Sequence, residues 1–362
     1  MNESPLHSFH VKLGARMVDF AGWSMPVMYR GIIEEHNHTR TKCSLFDVSH
    51  MGRLYLTGKD TEALLQLVCT RNVGDMSVGL SRYTHICRED GGILDDVIVS
   101  RFEDQYLVVC NASNRQKITD WLSKHAAGKD VKMTDRTMET AMIALQGPEA
   151  IPQVEKLLNI DLSGLKRYHF QTGSYFTFKY AIFRSGYTGE DGVELILPAG
   201  IVKLAMPALM GMSNTDDAVI KPAGLGARDS LRLEAGMPLY GHELTEDWDS
   251  LTARQGWCVH LDKDFIGADA MREKKEKGLT RKIVGLKLEG RRTARPGFEV
   301  RANGETVGQV TSGVLSPTLG DSIAMALVGM DHTKEGTLLS IQFGEKEVPA
   351  TVVKIPFYKL SS

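Results

Sequence analysis

The chain has no excess of charge of either sign. Its 43 Lys and Arg stand against 45 Asp and Glu, for a net charge of −2, which leaves no basic footprint for nucleic acid or an anionic membrane. No stretch reaches the roughly 18 consecutive apolar residues of a membrane span. The opening residues "MNESPLHSFHVKLGARMVDF" contain no apolar leader segment. Cysteines number only five, none in a CxxC pair, which argues against a disulfide framework and for free thiols in a reducing compartment. Internal repeats and low-complexity tracts are also lacking. Together these absences predict a cytoplasmic protein.

Several catalytic signatures are missing too. There is no GxSxG elbow, no GxxxxGK[ST] phosphate loop and no HExxH pair. His36, His38 and His50 do not form a metal motif, since His36 and His38 would point to different sides of a helix and no Cys/His spacing supports them. No metal is expected. Gly224-Leu225-Gly226 follows an apolar "AVI", but Asp229 stands where a dinucleotide fingerprint needs its third glycine and Pro222 interrupts the approach. A tight turn into a helix is the reading there.

What is present is an ordinary globular composition, 42% hydrophobic and 24% charged over 362 residues, enough for two or three domains. "TEALLQLVC", "RQKITDWLSKHA" and "GIVKLAMPALMGM" have helical spacing, whereas "VIVSRF", "QYLVVCN", "SYFTFKY" and "GVELILP" read as strands. The mixed-sign run Arg272–Lys277 reads as a solvated helix end. Beyond it come short alternating strands punctuated by Asn303-Gly304 and Gly344-Glu345. The fold expected is α+β and multidomain, with an all-β barrel or sandwich from about residue 280.

The chemistry-bearing residues are carboxylates and arginines in glycine-rich settings. Asp95 and Asp96 end "GGILDD" and lead into "VIV", and adjacent strand residues point to opposite faces. "VIVSRF-EDQ-YLVVCN" reads as a hairpin. A three-residue loop places Asp95, Val97 and Asn111 on one face; a two-residue loop pairs Asp96 with Asn111 instead. Periodicity alone does not choose. Glu194 in "YTGEDGVEL" and Arg228 in "GLGARDSLRLEAG" are, taken singly, as compatible with turns and helix-surface pairs as with a site.

Taken together the stretches are more specific. "MVDFAGWSMPV", "GIIEEH", "LFDVSHMG", "GGILDDVIV", "YLVVCNASN", "ALQGPEA", "GYTGEDGVELILP", "GLGARDSLRLEAGMPLYGHEL", "DKDFIG" and "VTSGVLSPTLGDSIAMALV" run in order along nearly the whole chain. In this the chain resembles the aminomethyltransferase family, the T-proteins of the glycine cleavage system. The resemblance implies three domains around a folate cavity: residues 1–51 with 139–245, residues 52–138, and residues 246–362 as linker and β-barrel. It also implies tetrahydrofolate as the acceptor substrate, with no metal or nucleotide cofactor, and a lipoylated H-protein as the partner. It places the catalytic carboxylate at Asp95 and so favours the three-residue loop. The folate contacts it implies are Met51, Tyr83, Asn111, Tyr187, Glu194 and Arg228, with Tyr358 in "PFYKL" near a family tyrosine. For an acidic H-protein, Lys282, Arg291 and Arg292 are the docking candidates. Two alternatives share the cavity: a folate-dependent demethylase, and a non-enzymatic folate-binding iron–sulfur assembly factor. The KGCxxGQE-type signature of the latter is absent here.

Overall fold

The computed structural model describes residues 1–175, 178–204 and 217–360. Their contacts group into two units, residues 1–64, 73–83 and 97–229 in one, and residues 65–72, 84–96 and 230–362 in the other.

The first unit is built on a six-stranded sheet in the order Phe170–Tyr175, Phe178–Phe183, Gly192–Pro198, Thr140–Gln146, Cys43–Asp47, Ile220–Pro222. Its central strand, "TAMIALQ", is buried on both faces after the first residue, which is why it reads as a continuous apolar run. Ala141, Ile143 and Leu145 of that strand join Leu45, Val193 and Leu195 in one core with Ala150 and Val154 of the helix Ala150–Leu158. "SYFTFKY", expected as one strand, instead spans the ends of two paired strands, with Tyr175 opposite Phe178. The helix expected over 200–212 lies, from residue 205 onward, outside the described residues.

A second sheet runs in the order Ser81–Cys87, Ile93–Arg101, Tyr106–Cys110, Gly52–Thr57, Lys132–Asp135. The dividing lines at 83/84 and 96/97 fall within its first two strands. Leu54, Val108 and Val99 stand abreast on one face, all fully buried. Arg53, Val109 and Ile98 stand abreast on the other. The helices expected for "TEALLQLVC" and "RQKITDWLSKHA" are Thr61–Val68 and Arg115–Ala126.

The hairpin corrects one reading. Arg101 pairs with Tyr106 and Ile98 with Val109, and the Phe102 N–H donates to the Gln105 carbonyl at 2.9 Å. The turn therefore centres on two residues, Glu103 and Asp104, rather than three. Strand alternation then gives Asp96 the face of Ile98 and Ser100, and Asp95 the face of Val97 and Val99. Asn111 follows Cys110 with extended backbone, φ −64° and ψ 143°, so its side chain takes the Val109 face. Asp96, not Asp95, shares that face.

In the second unit the expected β domain is a closed six-stranded barrel: Arg281–Leu288, Ser322–Gly329, Glu305–Leu315, Glu299–Ala302, Leu338–Phe343, Lys346–Val353. Inward residues Val284, Leu286, Val300, Val310, Ala326, Ile341 and Val352 fill it, and closure leaves no free sheet edge. Both turn signals are two-residue hairpin loops, Ala302 facing Glu305 and Phe343 facing Lys346. The run Arg272–Lys277 ends the helix Ala268–Lys277, exposed from Glu273 onward.

Candidate functional site

Arg228 lies in the first turn of the helix Leu225–Glu234. Gly224 and Gly226 let this helix press on its neighbours: a Cβ on Gly224 would lie 2.4 Å from the Val27 carbonyl, and one on Gly226 2.6 Å from Ile32 Cδ1. This confirms the tight turn into a helix. Buried Glu35 secures the junction, accepting the Gly224 N–H at 2.8 Å on one oxygen and the Tyr29 N–H at 2.7 Å on the other.

So placed, the Arg228 guanidinium lies over the Tyr187 ring, 4.6 Å from its centroid, within cation–π range. Its Nη1 is buried and has no hydrogen-bond partner among the described residues. Burial lowers the Arg228 pKa, and the charges of Glu194 and Tyr187 oppose that shift. Glu194 comes from the strand Gly192–Pro198, opposite Ala144 and Phe183, and is 7% exposed. Ser185 Oγ donates to its Oε2 at 2.5 Å.

The loop carrying Tyr187 connects two antiparallel strands, Phe178–Phe183 and Gly192–Pro198, and is fixed from both sides. Gln146 Nε2 donates to the Ser185 carbonyl at 3.0 Å, and Thr188 Oγ1 donates to Gln146 Oε1 at 2.9 Å. Arg40 Nη1 donates to the Thr188 carbonyl at 2.7 Å and pairs with Glu190 at 2.9 Å. Tyr187 is thus held by structure rather than by its own flexibility.

Of the other expected residues, Met51 is half-buried and precedes the strand Gly52–Thr57. Its carbonyl accepts from Nη1 of Arg53, which also donates to the Ser49 carbonyl at 3.1 Å. Tyr83 is half-buried in the strand Ser81–Cys87, and half-buried Asn111 precedes the short helix Ala112–Asn114. In the second unit Asp95 is fully buried and Asp96 half-buried. Nearby Tyr240 donates its hydroxyl to the Ile93 carbonyl at 3.2 Å; burial, then the charges of Glu246, Asp95 and Asp96, raise its pKa. Half-buried Tyr358 is tied by its N–H to the Glu234 carbonyl at 2.8 Å.

The three docking candidates do not form one patch. Lys282 is the second residue of the strand Arg281–Leu288, whereas exposed Arg291 and Arg292 lie beyond its far end, about 20 Å away by strand rise.

One residue was passed over in the sequence. His50, weighed there only as a metal ligand, is 2% exposed with Nδ1 buried and unpartnered among the described residues. Burial and the Arg228 charge push its pKa down to about 3. Only its neighbour's motif, "SHMG", pointed toward this place in the fold. Among the described residues no group of three or more metal-binding side chains occurs, and no helix is long and apolar enough to cross a membrane.

A guanidinium over a tyrosine ring, with a buried carboxylate whose charge acts on that arginine, suits a flat ring with hydrogen-bonding groups on its rim. The GCVT N-terminal domain matches residues 6–263, and the glycine cleavage T-protein C-terminal barrel domain matches residues 281–359. The chain is 46% identical to an aminomethyltransferase of Herpetosiphon aurantiacus over 362 residues, 99% of each chain. It is 45% identical to that of Rubrobacter xylanophilus, over 99% of this chain and 95% of the relative. The crystal structure of the glycine cleavage system aminomethyltransferase T from Bartonella henselae superposes with a TM-score of 0.92 at 35% identity, covering 99% of this chain and 98% of that one. The chain belongs to the glycine cleavage T-protein family. Its activity is that of a tetrahydrofolate-dependent aminomethyltransferase, and interaction with the H-protein of the system follows from that membership.

Proposed function

We propose that the aminomethyl group arrives on the lipoyl sulfur of the H-protein and that Glu194, Arg228 and Tyr187 hold the pterin of tetrahydrofolate. The supporting observation is the buried Nη1 of Arg228, which has no acceptor among the described residues and would gain one from a ligand. Glu194 accepts from the pterin's N–H and amino edge in bidentate fashion, Arg228 donates to its carbonyl, and Tyr187 packs on the ring. Met51, Tyr83 and Asn111 of the same unit are proposed to complete the lining.

In the reaction two folate N–H groups give way to two bonds to the transferred carbon. Its bonds to sulfur and nitrogen break, one proton passes to the thiolate, and the other leaves with ammonia. Asp96 is proposed as the group that relays a proton and stabilises positive charge on the reacting carbon–nitrogen unit. Its place on the Asn111 face of the hairpin supports this over Asp95. Holding the lipoyl arm and folate together supplies much of the remaining rate. Three of the four sheets support the three-domain division: one has its strands in residues 43–47 and 140–222, one in 52–135 and one in 281–353. A cytoplasmic location is proposed with it.

Steady-state assays with tetrahydrofolate and either aminomethyl-lipoyl H-protein or dimethylsulfoniopropionate test this reading. Turnover on the H-protein alone is expected; demethylation of the sulfonium compound reassigns the chain to the demethylase type.

A further inference from the structure

Gln146 is a polar side chain with no exposed surface. It ends the central strand Thr140–Gln146, opposite Gly192. Its Nε2 donates to the Ser185 carbonyl at 3.0 Å and to the Leu145 carbonyl at 3.1 Å, and its Oε1 accepts from Thr188 Oγ1 at 2.9 Å. Two glycines make room for this amide: a Cβ on Gly186 would collide with Oε1, and one on Gly192 would come within 2.7 Å of Nε2. A buried amide destabilises a fold unless its hydrogen bonds are made, so an aliphatic side chain would serve if packing were the only demand. What the amide does and Leu would not is fix the loop at residues 185 and 188.

Those two residues flank Tyr187, and the first of them carries the hydroxyl that donates to Glu194 Oε2 at 2.5 Å. One amide thus holds the loop backbone, and through that backbone the group that orients the carboxylate. An unanchored Glu side chain keeps its rotamers until a ligand binds, and ordering it then weakens binding. Each carboxylate oxygen has two lone-pair sites, so Oε2 keeps one for a ligand while Ser185 occupies the other.

We propose that Ser185, held by Gln146, is a positioning residue that sets the selectivity of Glu194 for a ring on which an N–H adjoins an amino group. This rests on the folate reading above and deepens it. Two parallel N–H···O bonds form only when the carboxylate lies in the plane of the ring it accepts from. The Ser185 hydroxyl holds that plane before the ligand arrives. Without it the carboxylate turns, one oxygen still takes the ring N–H, and the amino group adds less to binding.

The test is calorimetric binding of two ligands, tetrahydrofolate and its analogue lacking the ring amino group, to the wild type, Ser185→Ala, Gln146→Leu and Glu194→Gln. The wild type is expected to prefer tetrahydrofolate by at least about tenfold. In Ser185→Ala the affinity for tetrahydrofolate is expected to fall about tenfold while that for the analogue changes by less than about threefold, so the preference shrinks. Gln146→Leu is expected to lose the preference in the same way. A residue that merely supports the fold would weaken both ligands alike and leave their ratio unchanged. An unchanged ratio in Ser185→Ala therefore overturns the proposal, whatever Gln146→Leu does, and so does a wild type without the preference. Glu194→Gln separates the two levels. If it weakens tetrahydrofolate binding while Ser185→Ala keeps the wild-type ratio, only the positioning fails; if it binds tetrahydrofolate as the wild type does, the folate site itself is misplaced.

Discussion

At the scale of single residues, the two carboxylates of "GGILDD" part company because a strand sends neighbours to opposite sides. Asp95 has no exposed surface, whereas Asp96 is half-buried on the face of Ile98. Asp96→Asn keeps the shape but removes the proposed proton relay, so kcat is expected to fall by at least about 10²-fold with only modest loss of folate affinity. Asp95→Asn is expected to lower the melting temperature more than turnover. Kinetics and thermal unfolding of the pair check this, and a dead Asp95→Asn beside an active Asp96→Asn would reverse the roles. Glu194 and Arg228 stood out in glycine-rich stretches, but taken singly neither marked a site; the resemblance joined them with Tyr187, and all three fall in one unit.

At the scale of elements, legibility followed turn chemistry. Asn303 and Gly304 adopt φ of 50° and 84°, the left-handed pair that a two-residue hairpin requires, and that signature was readable in advance. Glu103-Asp104 makes a turn of the same length with neither Asn nor Gly, so its register stayed open in the sequence, and a slip of one residue exchanged the faces of Asp95 and Asp96. The helix of Arg228 depends on close approach at Gly224. Gly224→Ala would drive a Cβ into the Val27 backbone, and is expected to lower the melting temperature by several degrees and weaken folate binding together, through displacement of Arg228. Calorimetry and thermal unfolding of that variant check both. The helix His7–Lys12 is fastened by His10, which bridges the Tyr29 hydroxyl and Asp47, each at 2.8 Å. Against the cost of burial, the His10 hydrogen bond and charge bring Asp47 from 3.8 down to about 2. A carboxylate depressed on folding stabilises above its unfolded pKa and loses that contribution as pH falls through the folded one. The stability gap between wild type and Asp47→Asn, about 2 kcal/mol from the lowered carboxyl pKa, should be full above about pH 4 and shrink toward pH 2 in urea titrations.

At the scale of the whole molecule, the shift to alternating strands near residue 280 announced the barrel, because each of its strands is locally patterned and bounded by turns. The grouping of residues 65–72 and 84–96 with the C-terminal part was invisible, since long-range contacts leave no local periodicity. Family membership supplies the activity, and the chemistry we propose for it uses an arginine–tyrosine–glutamate set for the pterin and a strand carboxylate for proton transfer. The most direct measurement mixes stoichiometric aminomethyl-lipoyl H-protein with the enzyme, with and without tetrahydrofolate, and quantifies ammonia and 5,10-methylenetetrahydrofolate in a single turnover. Equal amounts of both products, formed rapidly only when tetrahydrofolate is present, are expected. Ammonia released as fast without tetrahydrofolate, or with no methylenetetrahydrofolate formed beside it, would contradict folate-dependent transfer by this chain.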